Sequence, residues 1–138
     1  MHVLLINGSP HEKGCTYTAL SLVAGELNAA GITTEILNVG TKPVGGCIGC
    51  GGCAKGNGCV FGGVVNEAIE KARTADAFVF GTPVHYASAS GNMTSFLDRL
   101  AYAGGKYLAY KPAAICASAR RAGTTTTLDQ LVKYPEFF

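Results

Sequence analysis

One feature of this chain restricts its fold more than any other. Four short apolar runs are each followed by a stretch in which apolar residues recur every three or four positions. Val3-Leu4-Leu5-Ile6 reads as a buried strand, closed by the turn residues Asn7-Gly8-Ser9-Pro10. From Thr16 onward, Leu20, Val23, Ala24, Leu27 and Ala30 keep helical spacing, and Gly31 marks the stop. Thr33 to Val39 is a second strand, and Val64, Val65, Ala68, Ile69 and Ala72 form the next helix face. Asp76 to Gly81 is a third strand. It leads through a loop, Thr82 to Gly91, into a helix carrying Met93, Phe96, Leu97, Leu100 and Ala101, with Asn92 as its cap. Pro112 to Ala117 is a fourth strand, and a basic loop precedes a last helix over Thr124 to Lys133. Only Gly40 to Gly63, mostly Gly, Cys and small residues, has no period and reads as a long loop.

Strand–helix alternation of this kind requires a parallel sheet with helices on both faces, a doubly wound α/β fold. Right-handed crossovers leave only a few strand orders, and ligands sit at the carboxyl ends of the strands, at the switch point. Three loops fall there, residues 7–16, 82–91 and 118–123, all rich in Ser, Thr and Gly. At 138 residues with 48% hydrophobic and 14% charged residues, the chain is expected to be one ordered domain. A net charge of +2 argues against nucleic acid or an anionic membrane as partner. No leader and no apolar run long enough to span a bilayer is read. Four of the six cysteines crowd between Cys47 and Cys59, which suggests a ligand cluster rather than a disulfide framework, in a reducing cytoplasm.

The first loop suits a phosphate. Ser9, Thr16 and Thr18 carry hydroxyls, and Gly14-Cys15-Thr16 opens a helix whose first amides have no partner within the helix. It has neither the dinucleotide glycine fingerprint nor a Gly-Lys-Ser/Thr ending, so a plain strand-to-helix turn stands beside the phosphate reading. A receiver domain would need acidic residues where Asn7-Gly8-Ser9 and Gly81-Thr82 stand. A cysteine phosphatase would need an Arg where Ala122 follows Cys116. In the second loop, Thr82-Pro83-Val84-His85-Tyr86 sets flat side chains on a proline-stiffened turn, able to clamp an aromatic ring.

Asn7-Gly8-Ser9-Pro10, Gly14-Cys15-Thr16, Thr82-Pro83-Val84-His85-Tyr86, Phe96-Leu97-Asp98-Arg99 and Ser118-Ala119-Arg120-Arg121-Ala122-Gly123 together resemble the NADPH-dependent FMN reductase family of flavodoxin-like proteins. The resemblance runs to about Leu131. It implies an oxidoreductase in which FMN passes electrons from NAD(P)H to a small-molecule or redox-protein acceptor. Ser9, Pro10, Gly14, Cys15, Thr16 and Thr18 would hold the FMN phosphate. Thr82, Pro83, Val84, His85 and Tyr86 would line the isoalloxazine, with Ser118, Arg120 and Gly123 closing the far side. No side chain is assigned as a general acid.

Cys47-x2-Cys50-x2-Cys53-x5-Cys59 is spaced closely enough to hold an iron–sulfur cluster or a tetrahedral zinc. It resembles the compact motif of iron–sulfur flavoproteins, which carry [4Fe–4S] near FMN; free thiols or a disulfide beside the flavin are the other readings. Cys15 and Cys116 read as small packing residues. Two alternatives to the reductase are an electron carrier that does not use NAD(P)H directly and a non-catalytic flavin binder. Relatives resembling this chain continue into a fifth strand and a closing helix, whereas here Pro135 is expected to break the last helix. The expectation is therefore four parallel strands in the order 2-1-3-4, the fourth left at the edge and covered by a second copy in a homodimer or larger assembly.

Overall fold

A computed structural model describes all residues, 1–138. Strand β1 (His2–Asn7) lies at the centre, between β2 (Thr33–Asn38) and β3 (Ala77–His85), and both pairings are parallel. β5 (Ala113–Ser118) runs parallel to the outer side of β3, giving the order β2-β1-β3-β5. A two-residue strand, β4 (Ser88–Ala89), folds back antiparallel on the end of β3. The expected four-strand order is therefore present, with this short hairpin added.

The two-residue period of β1 sorts its side chains between two cores. Leu4 and Ile6, with Phe78 and Phe80 of β3, face three helices: α2 (Val64–Thr74), α3 (Gly91–Gly104) and α4 (Thr124–Glu136). Val3 and Leu5, with Val79, face Leu20 and Ala24 of the single helix α1 (Cys15–Ala29) on the other side. On its outer edge β5 has no strand, and its first residues, Ala113 and Ala114, are exposed.

Three local expectations need correction. The sequence places a loop at Thr82–Gly91, but β3 continues to His85 and turns back through β4. Tyr86 (φ 50°) and Ala87 (φ 58°) sit at the tip, both left-handed. A two-residue hairpin turn of this twist-matched type asks for two left-handed residues, normally Asn or Gly, so their absence hides the hairpin from the sequence. Helix α3 is capped by Ser90, whose Oγ accepts the Met93 amide, and not by Asn92. Asn92 instead donates to the Gly40 and Lys42 carbonyls and accepts the Val44 amide, stapling the start of the long loop. Pro135 does not break α4: it lies in the last turn, ahead of Glu136. The ring forfeits only one helical bond there, and Phe138 beyond it packs edge-on to Phe80 at 6.4 Å.

Candidate functional site

The loops after β1, β3 and β5 meet at one end of the sheet. Asn7, fully buried, organises the first of them. Its Nδ2 donates to Asn38 Oδ1 at 2.8 Å and to the Glu12 carbonyl at 3.3 Å, while its Oδ1 accepts the Ser9 amide at 3.2 Å. Ser9 is thereby held with its Oγ accepting the His11 amide at 3.1 Å, which leaves the hydroxyl proton free to donate. Helix α1 starts at Gly14 without a side-chain cap, so its first-turn amides face the loop unserved by any side chain. Thr16, buried, shares a 2.7 Å hydrogen bond with Ser118 at the end of β5, joining the first and third loops across 102 residues. Of the hydroxyl donors expected from sequence, Thr16 meets Ser118, Ser9 stays on the first loop with Asn7 and His11, and Thr18 turns away. Thr18 is exposed and donates to the Gly14 carbonyl of its own helix. Cys15 is exposed at the head of α1 and is not a packing residue. Cys116 does pack, against the α1 core, and burial pushes its thiol pKa up.

The second loop serves two purposes. Thr82 is inward: its hydroxyl donates to the Pro83 carbonyl and accepts the Ser90 amide, so it ties β3 to the head of α3 and its one proton is committed within the protein. Ser90 completes the tie by donating to the Gly8 carbonyl at 2.8 Å. Beyond it the strand alternation separates residues that the sequence groups together. Val84 and Tyr86 line a pocket of about 410 Å³ with Ala87, Arg120, Arg121, Ala122 and Gly123. His85 lines a different pocket, about 360 Å³, with Pro10, Val44, Ser90, Asn92 and Ser95. The third loop touches the hairpin tip closely. Gly123 has φ +91°, and a Cβ there would stand 2.7 Å from Ala87 Cα, so only glycine serves. Helix α4 holds the hairpin through Thr126, which donates to the Ala87 carbonyl at 2.7 Å, and Gln130, whose Oε1 accepts Ser88 Oγ and the Ala89 amide. Neither Arg120 nor Arg121, both exposed, has a carboxylate partner. Ser90, Thr126 and Gln130 were missed by sequence reading; only the Ser-x-x-Met capping spacing of Ser90 was there to be found.

The cysteine loop forms a third pocket of about 270 Å³, and Cys47, Cys50, Cys53 and Cys59 all contribute to its wall. All six cysteines are free thiols. No three His, Cys, Asp or Glu side chains stand together as a ready-made metal centre. The donor set nevertheless suits a soft metal or a cluster, since all four cysteines line one pocket. Gly49, Gly51, Gly56 and Gly58, all at positive φ, give the backbone between them room to close. Asn66 fixes one end of the loop by accepting the Cys59 amide at 2.8 Å and donating to its carbonyl at 3.0 Å.

The family model for NADPH-dependent FMN reductase matches residues 1–134. An iron-sulfur flavoprotein of Archaeoglobus fulgidus is 33% identical over 99 residues, covering 72% of this chain and 48% of that protein. An iron-sulfur flavoprotein of Methanocaldococcus jannaschii is 30% identical over 99 residues, covering 72% and 51%. This chain thus spans about half the length of those relatives. Among solved structures, an NADH:FMN oxidoreductase in its apo form superposes with TM-score 0.70 at 20% identity, covering 97% of this chain and 66% of that one. An NAD(P)H:quinone oxidoreductase from Methanothermobacter marburgensis gives TM-score 0.70 at 19% identity, covering 99% and 71%. At those identities the likeness is one of fold.

Proposed function

The chain belongs to the NADPH-dependent FMN reductase family, and from this we propose that it binds FMN and oxidises NAD(P)H, passing the electrons to a small-molecule or redox-protein acceptor. The observation that carries this reading is the hydroxyl pair Thr16–Ser118, which ties the first loop to the third at the ligand end of the sheet. FMN, when bound, supplies the means of taking up a hydride and releasing electrons; everything else is the work of this chain. Ser9, Thr16, Ser118 and the uncapped amides of α1 hold the phosphate dianion by charge-assisted hydrogen bonds and helix dipole. Val84 and Tyr86, with Arg120, Ala122 and Gly123, line the pocket that would receive the flat ring system, and Pro83 would stiffen the turn behind them. Arg120 and Arg121 offer unpaired positive charge for the nucleotide phosphates of NAD(P)H. Pro10, Gly14 and Cys15 contribute backbone to the phosphate turn. His85 stands in the neighbouring pocket, where a second substrate can approach.

The test is reconstitution with FMN, followed by stoichiometry and by nicotinamide oxidation with an artificial acceptor. One FMN per chain with turnover of NADPH or NADH supports the reading, and absence of FMN binding ends it. FMN binding without nicotinamide oxidation favours the second reading, an iron–sulfur flavoprotein that carries electrons between partners. That reading is favoured by the four cysteines around one pocket, and the relatives named above bear that description. Iron analysis of anaerobic preparations tests it. For the uncovered outer edge of β5 we propose a second copy of the chain as partner. No helix is long and apolar enough to cross a membrane; six free thiols suit the reducing cytoplasm we propose as its compartment.

A further inference from the structure

Arg99, on α3, is only 6% exposed, yet it has no carboxylate partner. The adjacent Asp98 is engaged elsewhere, accepting the Tyr134 hydroxyl at 2.6 Å. The Arg99 guanidinium donates instead to three points on the cysteine loop. Nη1 reaches the Gly45 carbonyl at 3.3 Å, Nη2 the Gly62 carbonyl at 3.1 Å, and Nε the Cys59 sulfur at 3.2 Å. Gly45 precedes the first of the clustered cysteines and Gly62 follows the last, so one side chain pins both ends of the segment that must surround the pocket. Arg99 is also the only charged residue in the pocket wall, which is otherwise glycine, cysteine and apolar side chains. A buried guanidinium whose partners are all neutral leaves its charge uncompensated, which is costly. An anion in the pocket removes that cost.

We propose that Arg99 is the counter-charge and sulfur-positioning residue of an anionic tetrathiolate centre formed by Cys47, Cys50, Cys53 and Cys59. The inference rests on the second reading above, that these cysteines bind metal. As each sulfur bonds the metal its thiol proton leaves to solvent, and four thiolates around a doubly positive core, zinc or [4Fe–4S], leave a net dianion. Arg99 faces that charge from inside the protein, and its Nε–H donates to one of the four sulfurs. A lysine there would keep the charge but lack the fork that reaches three acceptors.

The experiment compares the full chain with R99Q and R99K, each first shown to be folded by circular dichroism and thermal melting. One arm titrates Zn²⁺ against a chromophoric chelator. The other reconstitutes anaerobically with equal ferrous and ferric iron and sulfide, then measures iron content and midpoint potential. Loss of an outer partner of this kind weakens metal affinity roughly 10- to 100-fold, and that is the drop expected for R99Q with zinc. Its iron centre should titrate at a lower potential, since both a positive charge and an N–H···S bond are gone. R99K should also bind zinc more weakly, with a potential closer to the original. If R99Q does not fold, R99K decides: unchanged zinc affinity there overturns the positioning role. R99Q matching the unaltered chain in affinity and potential also overturns the proposal, as does an unaltered chain that takes neither metal. Zinc binding lost in R99Q, with no iron taken up by any variant, supports Arg99's role while ending the iron–sulfur reading.

Discussion

Replacing Gly40 with alanine should damage the phosphate loop from a position with no functional group of its own. Gly40 is buried directly after β2, and both its amide and that of Val39 donate to the Asn7 carbonyl. A Cβ on Gly40 would fall well inside van der Waals contact of the Gly8 and Ser9 carbonyl oxygens. Those are backbone atoms and cannot rotate aside. The Gly8 carbonyl also accepts Ser90 Oγ at 2.8 Å, and the Gly8 amide donates to the Gly81 carbonyl at 2.8 Å, so moving Gly8 strains the tie to α3 and β3. Overpacking costs about 1–3 kcal/mol, and the weakened buried hydrogen bond adds roughly 0.5–1.5 kcal/mol. G40A should therefore lose about 2–4 kcal/mol in urea unfolding. FMN should stabilise it less than it stabilises the unaltered chain at equal concentration, because Ser9 moves with Gly8. Gly25 is the control: it is exposed in the middle of α1 with nothing within 4 Å of a built Cβ, and G25A should gain about 0.5–1 kcal/mol. A G40A protein as stable as the original, with unchanged FMN affinity, would refute the reasoning.

Removing two phosphate donors together, Ser9→Ala with Thr16→Ala, should weaken FMN binding by about 2–4 kcal/mol, read by quenching of flavin fluorescence; unchanged affinity would overturn the assignment. Tyr134→Phe should cost roughly 1–2 kcal/mol near neutrality through loss of the bond to Asp98. Burial first, and then Asp98, push the Tyr134 pKa well above its ordinary value. The folded chain therefore keeps a proton that the unfolded chain loses near pH 10. The associated stability is complete below that value and is lost as pH rises toward the folded pKa. Denaturation series through this window should show a steeper decline for the original chain than for Y134F, and parallel curves would contradict it. Sedimentation at micromolar concentration should show a dimer or larger species, and a monomer with FMN bound would refute the proposed second copy on the β5 edge.

Much of the architecture was legible because its signals are local. The unbroken apolar run of Val3 to Ile6 marks a strand buried on both faces, and the helical spacing of Leu20, Ala24 and their neighbours marks a helix that covers one of them. The hairpin at Tyr86–Ala87 was not legible, since its left-handed residues are ones that rarely adopt that conformation. Asn92 looks like a cap by position, but its amide has partners more than 45 residues away.

Sequence by itself determined the strand–helix alternation, the parallel sense of the sheet, the three Ser-, Thr- and Gly-rich loops at the ligand end, and the clustering of four cysteines. Each of these is written in short-range spacing. Tertiary structure alone decided which hydroxyls are available. Thr16 meets Ser118 across 102 residues, Ser90 meets Gly8 across 82, and Thr82 turns inward to hold the head of α3. It also parted His85 from Tyr86 into separate pockets and brought Arg99 against both ends of the cysteine loop. Spacing along the chain sets which face of a strand or helix a residue occupies. The partner it meets there depends on how distant elements pack, which no local period encodes.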